Sequence, residues 1–219
     1  MSDYIMFIPY VNRIDLLRKA IESASDVRDH LVIIDNSKDG LDGEYGWPTI
    51  IRPLVPLTFS QSMNAMLKLA KERGASICVW MHSDAEAEPG VVMELITRAR
   101  QYMAEGRKWG VLWTAYDALS AMNVEAFEDI GGWDVILTQY YSDNDAYYRL
   151  KLSGWECIDT GLKVKHTPSS TINSDPLLHF LNGVTFPLYG YYYQQKFGGE
   201  PGHEKYDVPF ARPDLFGGK

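Results

Sequence analysis

Short apolar runs alternate with segments of helical periodicity through the first hundred residues, and this alternation limits the fold more than any other feature. Four apolar runs predict buried strands, the third more weakly than the others: "YIMFIP", "HLVIID", "TIIRPL" and "ASICVWM". The intervening segments predict helices, and Asn12 is a plausible N-cap of the first. Strands and helices in this order predict a parallel sheet with helices on both faces.

The second half of the chain has a less regular pattern. "WGVLWTAYDALSAMNVEAF" predicts two strands on either side of Asp117, and "SDNDAYYRLKLSG" predicts a helix with acids in its first turn. "KVKHTPSS" predicts a strand followed by a polar loop. The aromatic segment after residue 170 predicts a partly helical extension with an irregular end. We therefore expect one domain over residues 1–170 and an extension, residues 171–219, that packs on the same domain.

Charge and composition narrow the class of protein. The formal net charge of −8 disfavours a dedicated nucleic-acid binder, because an acidic surface repels phosphodiester backbones. Cys78 and Cys157 lie in apolar surroundings and are expected to be reduced core residues. No apolar run is long enough to span a bilayer, and the first residues do not resemble a signal peptide. These features predict a soluble, cytoplasmic protein.

Polar and ring side chains follow the predicted strands. Ligands of parallel α/β sheets bind at the carboxyl ends of the strands, and Asp35, His82 and Asp84 lie at such ends, as do Pro9 and Tyr10. Residues two apart on a strand face the same side, so His82 and Asp84 are predicted to project together. An imidazole beside a carboxylate can hold a divalent cation, which makes this pair a candidate metal site.

The order of these segments resembles the GT-A glycosyltransferases, and in particular the large, inverting, family-2-like group that uses nucleotide-sugars. The resemblance covers about residues 4–170. "WMHSDAEAEPG" lies where these enzymes have an Asp-x-Asp metal motif, with Asp84 as the second Asp and His82 in place of the first. The resemblance implies a Rossmann-like, mostly parallel sheet flanked by helices. Residues 1–90 would form the nucleotide-sugar half and residues 109–170 the acceptor and catalytic half.

Two further segments carry the resemblance. "SDNDAYYRLKLSGW" resembles the stretch that bears the catalytic base, which reads Glu-Asp-x-Asp and then Arg four residues later. Counting back from Arg149, Asp145 matches the later Asp, Asp143 matches the base, and Ser142 replaces the Glu. "VKHTPSS" resembles the strand end with a His that completes the metal site in several members, here His166.

The resemblance also implies the ligands of the donor half. His82, Asp84 and His166 would hold Mn²⁺ or Mg²⁺ against the diphosphate of a nucleotide-sugar, most often a UDP-sugar. Two imidazoles favour Mn²⁺ over Mg²⁺, which prefers oxygen ligands. Three other positions would contact the nucleotide-sugar: Asp35 at the base, Pro9 and Tyr10 beside the nucleoside, and Asn64 in the following helix.

In the acceptor half, Asp143 would act as the general base, and Trp133 and Asp134 of the "GGWD" turn would contact the acceptor. Structural alternatives stay open at single residues. Asp143 is also a plausible helix cap, Asp35 a turn former and Trp133 a core residue.

Several functional alternatives stay open as well. The acceptor is a saccharide, a lipid-linked glycan, a protein or a hydroxymethylated base in DNA. The DNA alternative, a phage-type enzyme, needs Lys163, Lys165 and the C-terminal Lys and Arg residues to form one basic face. A GT-A scaffold that binds a nucleotide or sugar without turnover is the alternative outside the enzymes. Assembly of the protein as a homodimer is also left open.

Overall fold

Nine strands form two sheets in the computed structural model, which describes residues 2–41 and 46–211. In chain order the strands are β1 (Tyr4–Tyr10), β2 (Leu31–Asp35), β3 (Thr49–Ile51), β4 (Ile77–Met81), β5 (Ala85–Ala87), β6 (Trp109–Trp113), β7 (Leu119–Asn123), β8 (Glu156–Asp159) and β9 (Val164–His166). Seven of them form the central sheet in the order β3-β2-β1-β4-β7-β6-β8. β5 and β9 form a separate antiparallel ribbon.

The central sheet is parallel except around β7. β1 pairs in parallel with β2 and β4, and β2 pairs in parallel with β3. β7 is antiparallel to both of its neighbours, β4 and β6, while β8 is parallel to β6. The prediction of a mostly parallel α/β sheet is therefore confirmed, with one reversed strand in the second half.

Helices cover both faces of this sheet. They are α1 (Ile14–Ser23), α2 (Phe59–Glu72), α3 (Val91–Ala104), α4 (Val124–Asp129), α5 (Ser142–Leu152), α6 (Ser170–Asn173) and α7 (Pro176–Phe197), with short 3₁₀ turns at Ser25–His30 and Ala115–Asp117. α1 and α3 pack on one face of the sheet, and α2, α4 and α5 pack on the other.

The alternation of side chains along β1 shows why the strands are apolar throughout. Met6 and Ile8 face the core beneath α1 and α3, whereas Ile5 and Phe7 face the core beneath α2. All four are buried, as expected for a strand covered on both faces. Cys78 and Cys157 are not paired with each other; Cys78 is buried, whereas Cys157 is half-buried at the edge of the core.

Helix α1 begins differently from the sequence prediction. Arg13, in the left-handed conformation, precedes the helix and provides no side-chain cap. The side-chain amide of Asn12 instead donates to the carbonyl of Thr171, 3.1 Å away, so the prediction of Asn12 as the N-cap was wrong. Helix α2, by contrast, begins with a capping box between Thr58 and Gln61.

Helix α7 confirms the partly helical extension, and its two halves differ in burial. Tyr193, Lys196 and Phe197 near its C-terminal end are buried. Between residues 177 and 188 the helix exposes six large apolar side chains to solvent, at Leu177, Phe180, Leu181, Val184, Phe186 and Leu188. None of the helices among the described residues is both long enough and apolar enough to cross a membrane.

Candidate metal and catalytic site

The polar stretch after β4 lies in a turn and not on the strand. β4 ends at Met81, and the chain turns before β5 begins at Ala85. The amide of His82 donates to the carbonyl of Ala118 at 3.0 Å, which fixes the start of this turn against the neighbouring chain. His82 Nδ1 lies 3.9 Å from Asp84 Oδ1. The two side chains meet as predicted, but turn geometry and not strand alternation brings them together.

The ribbon of β5 and β9 delivers the third member of the cluster. His166 is opposite Ala85 in this ribbon, and the amide of Thr167 donates to the carbonyl of Asp84 at 3.1 Å. As a result, His166 Nε2 lies 3.2 Å from Asp84 Oδ1. One ligand atom from each of His82, Asp84 and His166 lies within 4.8 Å of the other two.

The charges in this cluster suit a metal ion. Burial lowers the pKa of His82 to about 4, and the neighbouring His166 adds to the effect. The His82 imidazole is therefore neutral at pH 7. Burial opposes ionisation of Asp84, but hydrogen bonds from His166 and Ser170 and the two nearby imidazoles hold its pKa below the ordinary value. Ser170 Oγ donates to Asp84 Oδ2 at 2.5 Å. A neutral imidazole, as at His82, and an ionised carboxylate, as at Asp84, are the protonation states that bind metals.

The hydrogen bonding of His166 supports the same assignment. Its side chain is only 10% exposed; Nε2 faces Asp84 Oδ1, whereas Nδ1 has no hydrogen-bond partner among the described residues. Buried polar atoms in proteins are nearly always paired, so an unpaired imidazole nitrogen requires an explanation. A divalent cation would satisfy it, and a site with two nitrogens and one carboxylate fits Mn²⁺.

A second polar cluster contains Asp143, at the start of α5. Its carboxyl group faces that of Asp117, in the turn between β6 and β7, closely enough for each group to affect the pKa of the other. Tyr147 Oη also donates to Asp117 Oδ1 at 2.7 Å. Burial raises the pKa of both carboxyl groups. The pKa of Asp117 rises to about 7, because burial and the charge of Asp143 raise it by more than the hydrogen bond from Tyr147 lowers it.

Asp117 separates the two strands predicted for its segment, and no role was predicted for it. One available signal was its position: it follows β6, which runs parallel to β4, so both strands end at the same edge of the sheet. Its contact with Asp143 depends on the packing of α5 and has no local sequence pattern. The contact of Ser170 with Asp84 was not predicted either, because it also depends on tertiary packing.

The predicted nucleoside contacts lie together at the carboxyl ends of β1 and β2, where Tyr10 is opposite Asp35. Pro9 is partly exposed, whereas Tyr10 is buried in the core. The Asp35 carboxylate accepts hydrogen bonds from the amides of Ser37 and Leu41, both at 3.0 Å. These bonds form the turn that the sequence left open as an alternative role for Asp35.

Asn64 pairs with the backbone of the "GGWD" turn. Its Nδ2 donates to the carbonyl of Trp133 at 2.9 Å, and its Oδ1 accepts from the amide of Trp133 at 2.8 Å. The indole of Trp133 is only 3% exposed and packs against Phe127 and Phe59. The expectation that this ring offers an open face to the acceptor was therefore wrong, because core side chains already cover it.

Asp134 and Asp145 are held by a buried lysine of α7. Lys196 Nζ lies 2.7 Å from Asp134 Oδ2 and 2.5 Å from Asp145 Oδ1, and Tyr192 Oη donates to Asp134 at 2.8 Å. Arg149 forms a further ion pair with Asp145. The Asp134 carboxylate thus attaches α7 to the preceding turn, so its contacts are structural and not those expected of an acceptor ligand.

The sheet order and the polar groups at its carboxyl edge define the GT-A glycosyltransferase fold, in agreement with the resemblance. A mannosyltransferase from Pyrobaculum calidifontis, PcManGT, solved with GDP-Man and Mn²⁺, is similar with a TM-score of 0.55 and 15% identity. The match covers 73% of this chain and 55% of that one. Scans by sequence against family models and against curated proteins gave no match.

Two other solved structures share the fold. GalNAc-T7, solved with UDP, GalNAc and Mn²⁺, has a TM-score of 0.58 and 12% identity, over 88% of this chain and 50% of its own. Glucosyl-3-phosphoglycerate synthase from Mycobacterium tuberculosis, solved with Mn²⁺, UDP and glucosyl-3-phosphoglycerate, has a TM-score of 0.53 and 14% identity. That match covers 84% of this chain and 78% of the synthase. This chain thus spans about half the length of the first two proteins.

Proposed function

We propose that this protein is a metal-dependent, inverting glycosyltransferase that moves a sugar from a nucleotide-diphosphate sugar to an acceptor hydroxyl. The observation that carries the proposal is the convergence of His82, Asp84 and His166 within 4.8 Å at the carboxyl edge of a GT-A sheet. Similar structures were solved with Mn²⁺ and either a UDP or a GDP nucleotide, which supports the same ligand class here.

In this proposal the metal cluster forms the diphosphate end of the donor site. A bound cation would supply positive charge against the diphosphate leaving group, which stabilises the transition state electrostatically. Pro9, Tyr10 and Asp35 would line the nucleoside end, at the ends of β1 and β2. We retain UDP as the expected nucleotide and Mn²⁺ as the expected ion.

Asp143 is the proposed general base. Its carboxylate would accept the proton of the acceptor hydroxyl while that oxygen attacks the anomeric carbon from the face opposite the diphosphate. The new carbon–oxygen bond forms as the bond to the diphosphate breaks, and the electron pair leaves with the diphosphate. A single displacement of this kind inverts the anomeric configuration.

A nucleotide-release assay tests this function. The protein is incubated with Mn²⁺ and a panel of UDP- and GDP-sugars, with simple sugars or water as acceptor, and the release of nucleoside diphosphate is followed. Asp143→Asn is expected to lower the rate on the order of 10²–10⁴-fold while donor binding is retained. Asp26→Asn, at an exposed position, is the matched control and should leave the rate unchanged. Nucleotide binding without release by the unmodified protein would contradict the proposal and favour the non-catalytic scaffold.

The charges on the surface near the site bear on the acceptor class. The DNA alternative needs Lys163, Lys165 and C-terminal basic residues on one face. Lys165 Nζ lies 3.1 Å from Glu86, which offsets its charge, while Arg212 and Lys219 lie outside the described residues. The ion pair of Lys165 and the net charge of −8 favour a non-nucleic acceptor, namely a saccharide, lipid-linked glycan or protein.

The cytoplasmic location and the homodimer stay predictions. The exposed apolar side chains between residues 177 and 188 of α7 offer a surface on which a second copy would dock. The segment between residues 176 and 195 contains no Asp, Glu, Lys or Arg, so two copies would meet there without like-charge repulsion despite the net charge of −8. Sedimentation of the unmodified protein and of Phe180→Glu tests the homodimer. We expect the variant to sediment as a smaller species than the unmodified protein.

A further inference from the structure

The backbone of the turn that carries Asp117 adopts an uncommon conformation. Tyr116 and Asp117 have φ values of 59° and 50°, so two successive residues other than glycine are left-handed. This region is sparsely populated by such residues, and each costs free energy that the surrounding structure must offset. Tyr116 is 78% exposed, so burial of its ring does not explain the turn. The Asp117 side chain is half-buried, and its carboxyl group contacts Tyr147 of α5.

The surroundings of this carboxyl group are polar, and within residues 2–41 and 46–211 no Lys or Arg forms an ion pair with it. Tyr147 Oη donates to it at 2.7 Å and Ser120 Oγ lies 3.4 Å away. The Asp143 carboxyl, one helical turn before Tyr147 on α5, faces it as well. The thiol of Cys157, on β8, is the other titratable group that faces it. Among the described residues, neither Asp117 nor Asp143 has a Lys or Arg within ion-pair distance. A hydrogen bond between two carboxyl groups requires one of them to be protonated.

We propose that Asp117 is a positioning residue for Asp143, and that the two carboxyl groups share one proton, which Asp117 donates to the ionised Asp143. This inference deepens the proposed function, because it rests on Asp143 as the base. The hydrogen bond from Tyr147 fixes one oxygen of Asp117, so its protonated oxygen points towards Asp143. Burial and the adjacent negative charge both favour the protonated form of Asp117, in agreement with its raised pKa.

The shared proton explains how a buried carboxylate stays ionised and aligned. Asp143 would otherwise lie in an environment that favours its neutral form, which cannot accept a proton. With Asp117 as donor, Asp143 keeps its charge and takes the acceptor proton, while Asp117 retains its own. The location also fits, because Ala118, the next residue in the chain, accepts the hydrogen bond from the amide of the proposed metal ligand His82.

Carboxyl ¹³C NMR of aspartate-labelled protein tests the shared proton independently of activity. The unmodified protein should show one carboxyl group that titrates near pH 7. Asp117→Asn should remove this titration, and Asp143→Asn should move it to lower pH, since the adjacent negative charge is lost. Asp26→Asn should change neither. The inference would be overturned if no aspartate titrates near pH 7 in the unmodified protein, or if the titration near pH 7 persists in Asp117→Asn.

The pH profile of nucleotide release connects the pair to catalysis. The profile of the unmodified protein should show an inflection near pH 7 that Asp117→Asn lacks, with a smaller loss of rate than Asp143→Asn causes. Tyr147→Phe should move the inflection to higher pH, because the lost hydrogen bond stabilised ionised Asp117. If Asp117→Asn keeps the inflection, the inference fails while the proposed function stands. If the NMR titration is present but no donor is turned over, the proposed function fails and proton sharing stands.

Discussion

Asp84 Oδ1 lies 3.2 Å from His166 Nε2, although one residue follows β4 and the other ends β9. The pairing of β5 with β9 produces this contact, since His166 is opposite Ala85, the residue next to Asp84. The opposite oxygen of Asp84 accepts a hydrogen bond from Ser170 at the start of α6. The ribbon and α6 thus orient the carboxylate that the proposed metal site depends on.

Removal of the Ser170 hydroxyl should weaken metal binding without removing a ligand. Groups that orient a ligating carboxylate typically contribute 10–100-fold to metal affinity, so Ser170→Ala should lower the affinity for Mn²⁺ by about that factor. Ser174→Ala is the matched control, because its hydroxyl bonds to the carbonyl of Thr171 and does not contact Asp84. Isothermal titration with Mn²⁺ measures both, and equal affinities would contradict the role given to Ser170.

The two adjacent glycines of the "GGWD" turn allow a matched test of its packing. Both are left-handed, with φ of 75° at Gly131 and 79° at Gly132. A Cβ at Gly132 would lie 2.5 Å from Asn64 Oδ1, whereas one at Gly131 would meet nothing within 4 Å. Gly131→Ala should lower the free energy of unfolding by about 1 kcal/mol from backbone strain alone. Gly132→Ala should cost about 1–3 kcal/mol more, because it also disrupts the Asn64 pairing. Equal losses in urea unfolding would contradict this.

Substitution of Lys196 tests the attachment of α7. Its ammonium group is buried between Asp134 and Asp145, so Lys196→Met leaves Asp134 without its cation while Asp145 keeps Arg149. Removing one partner of a buried ion pair typically costs about 3–5 kcal/mol, and we expect a loss near the lower end. Lys151→Met, at an exposed position of α5, should change the free energy of unfolding little. A loss below about 1 kcal/mol for Lys196→Met in urea would contradict the proposed attachment.

The raised pKa of Asp117 should appear in the pH dependence of stability. The folded protein holds this proton up to about pH 7, whereas the ordinary value is 3.8. The contribution to stability is therefore fully present below about pH 4 and is lost as the pH rises through 7. The free energy of unfolding of the unmodified protein should fall over this window, relative to Asp117→Asn, on the order of 2–4 kcal/mol. Chemical unfolding at a series of pH values measures the difference, and parallel curves for the two proteins would contradict it.

Sequence patterns predicted the strands of the first half because each run is apolar on both faces, as Ile5 to Ile8 show. The resemblance predicted the His82, Asp84 and His166 cluster, although the reason given for the first pair, a shared strand face, was wrong. Residues of the "GGWD" turn were assigned less well. An aromatic residue in a glycine-rich turn suits the core as well as a binding surface, and the packing of Phe127 on Trp133 decides between the two.

Contacts between distant elements had no local signal. The pairing of Asp117 with Asp143 arises only when the turn after β6 meets α5, and Lys196 reaches Asp134 only when α7 folds back on the domain. Such pairs depend on tertiary packing, which the spacing of residues along one helix or strand does not encode.

Nucleotide binding with and without metal tests the central claim most directly. The thermal midpoint of the protein is measured against UDP, GDP and their sugar conjugates, with and without Mn²⁺, alongside Asp84→Asn and the control Glu86→Gln. A ligand that binds the native state at 100 times its Kd adds about 2.7 kcal/mol of stability, which is a shift of several degrees. The account predicts such a rise with one nucleotide family, only when Mn²⁺ is present, in the unmodified protein and Glu86→Gln but not in Asp84→Asn. No rise with any nucleotide, or a rise that is independent of Mn²⁺ and of Asp84, would contradict it.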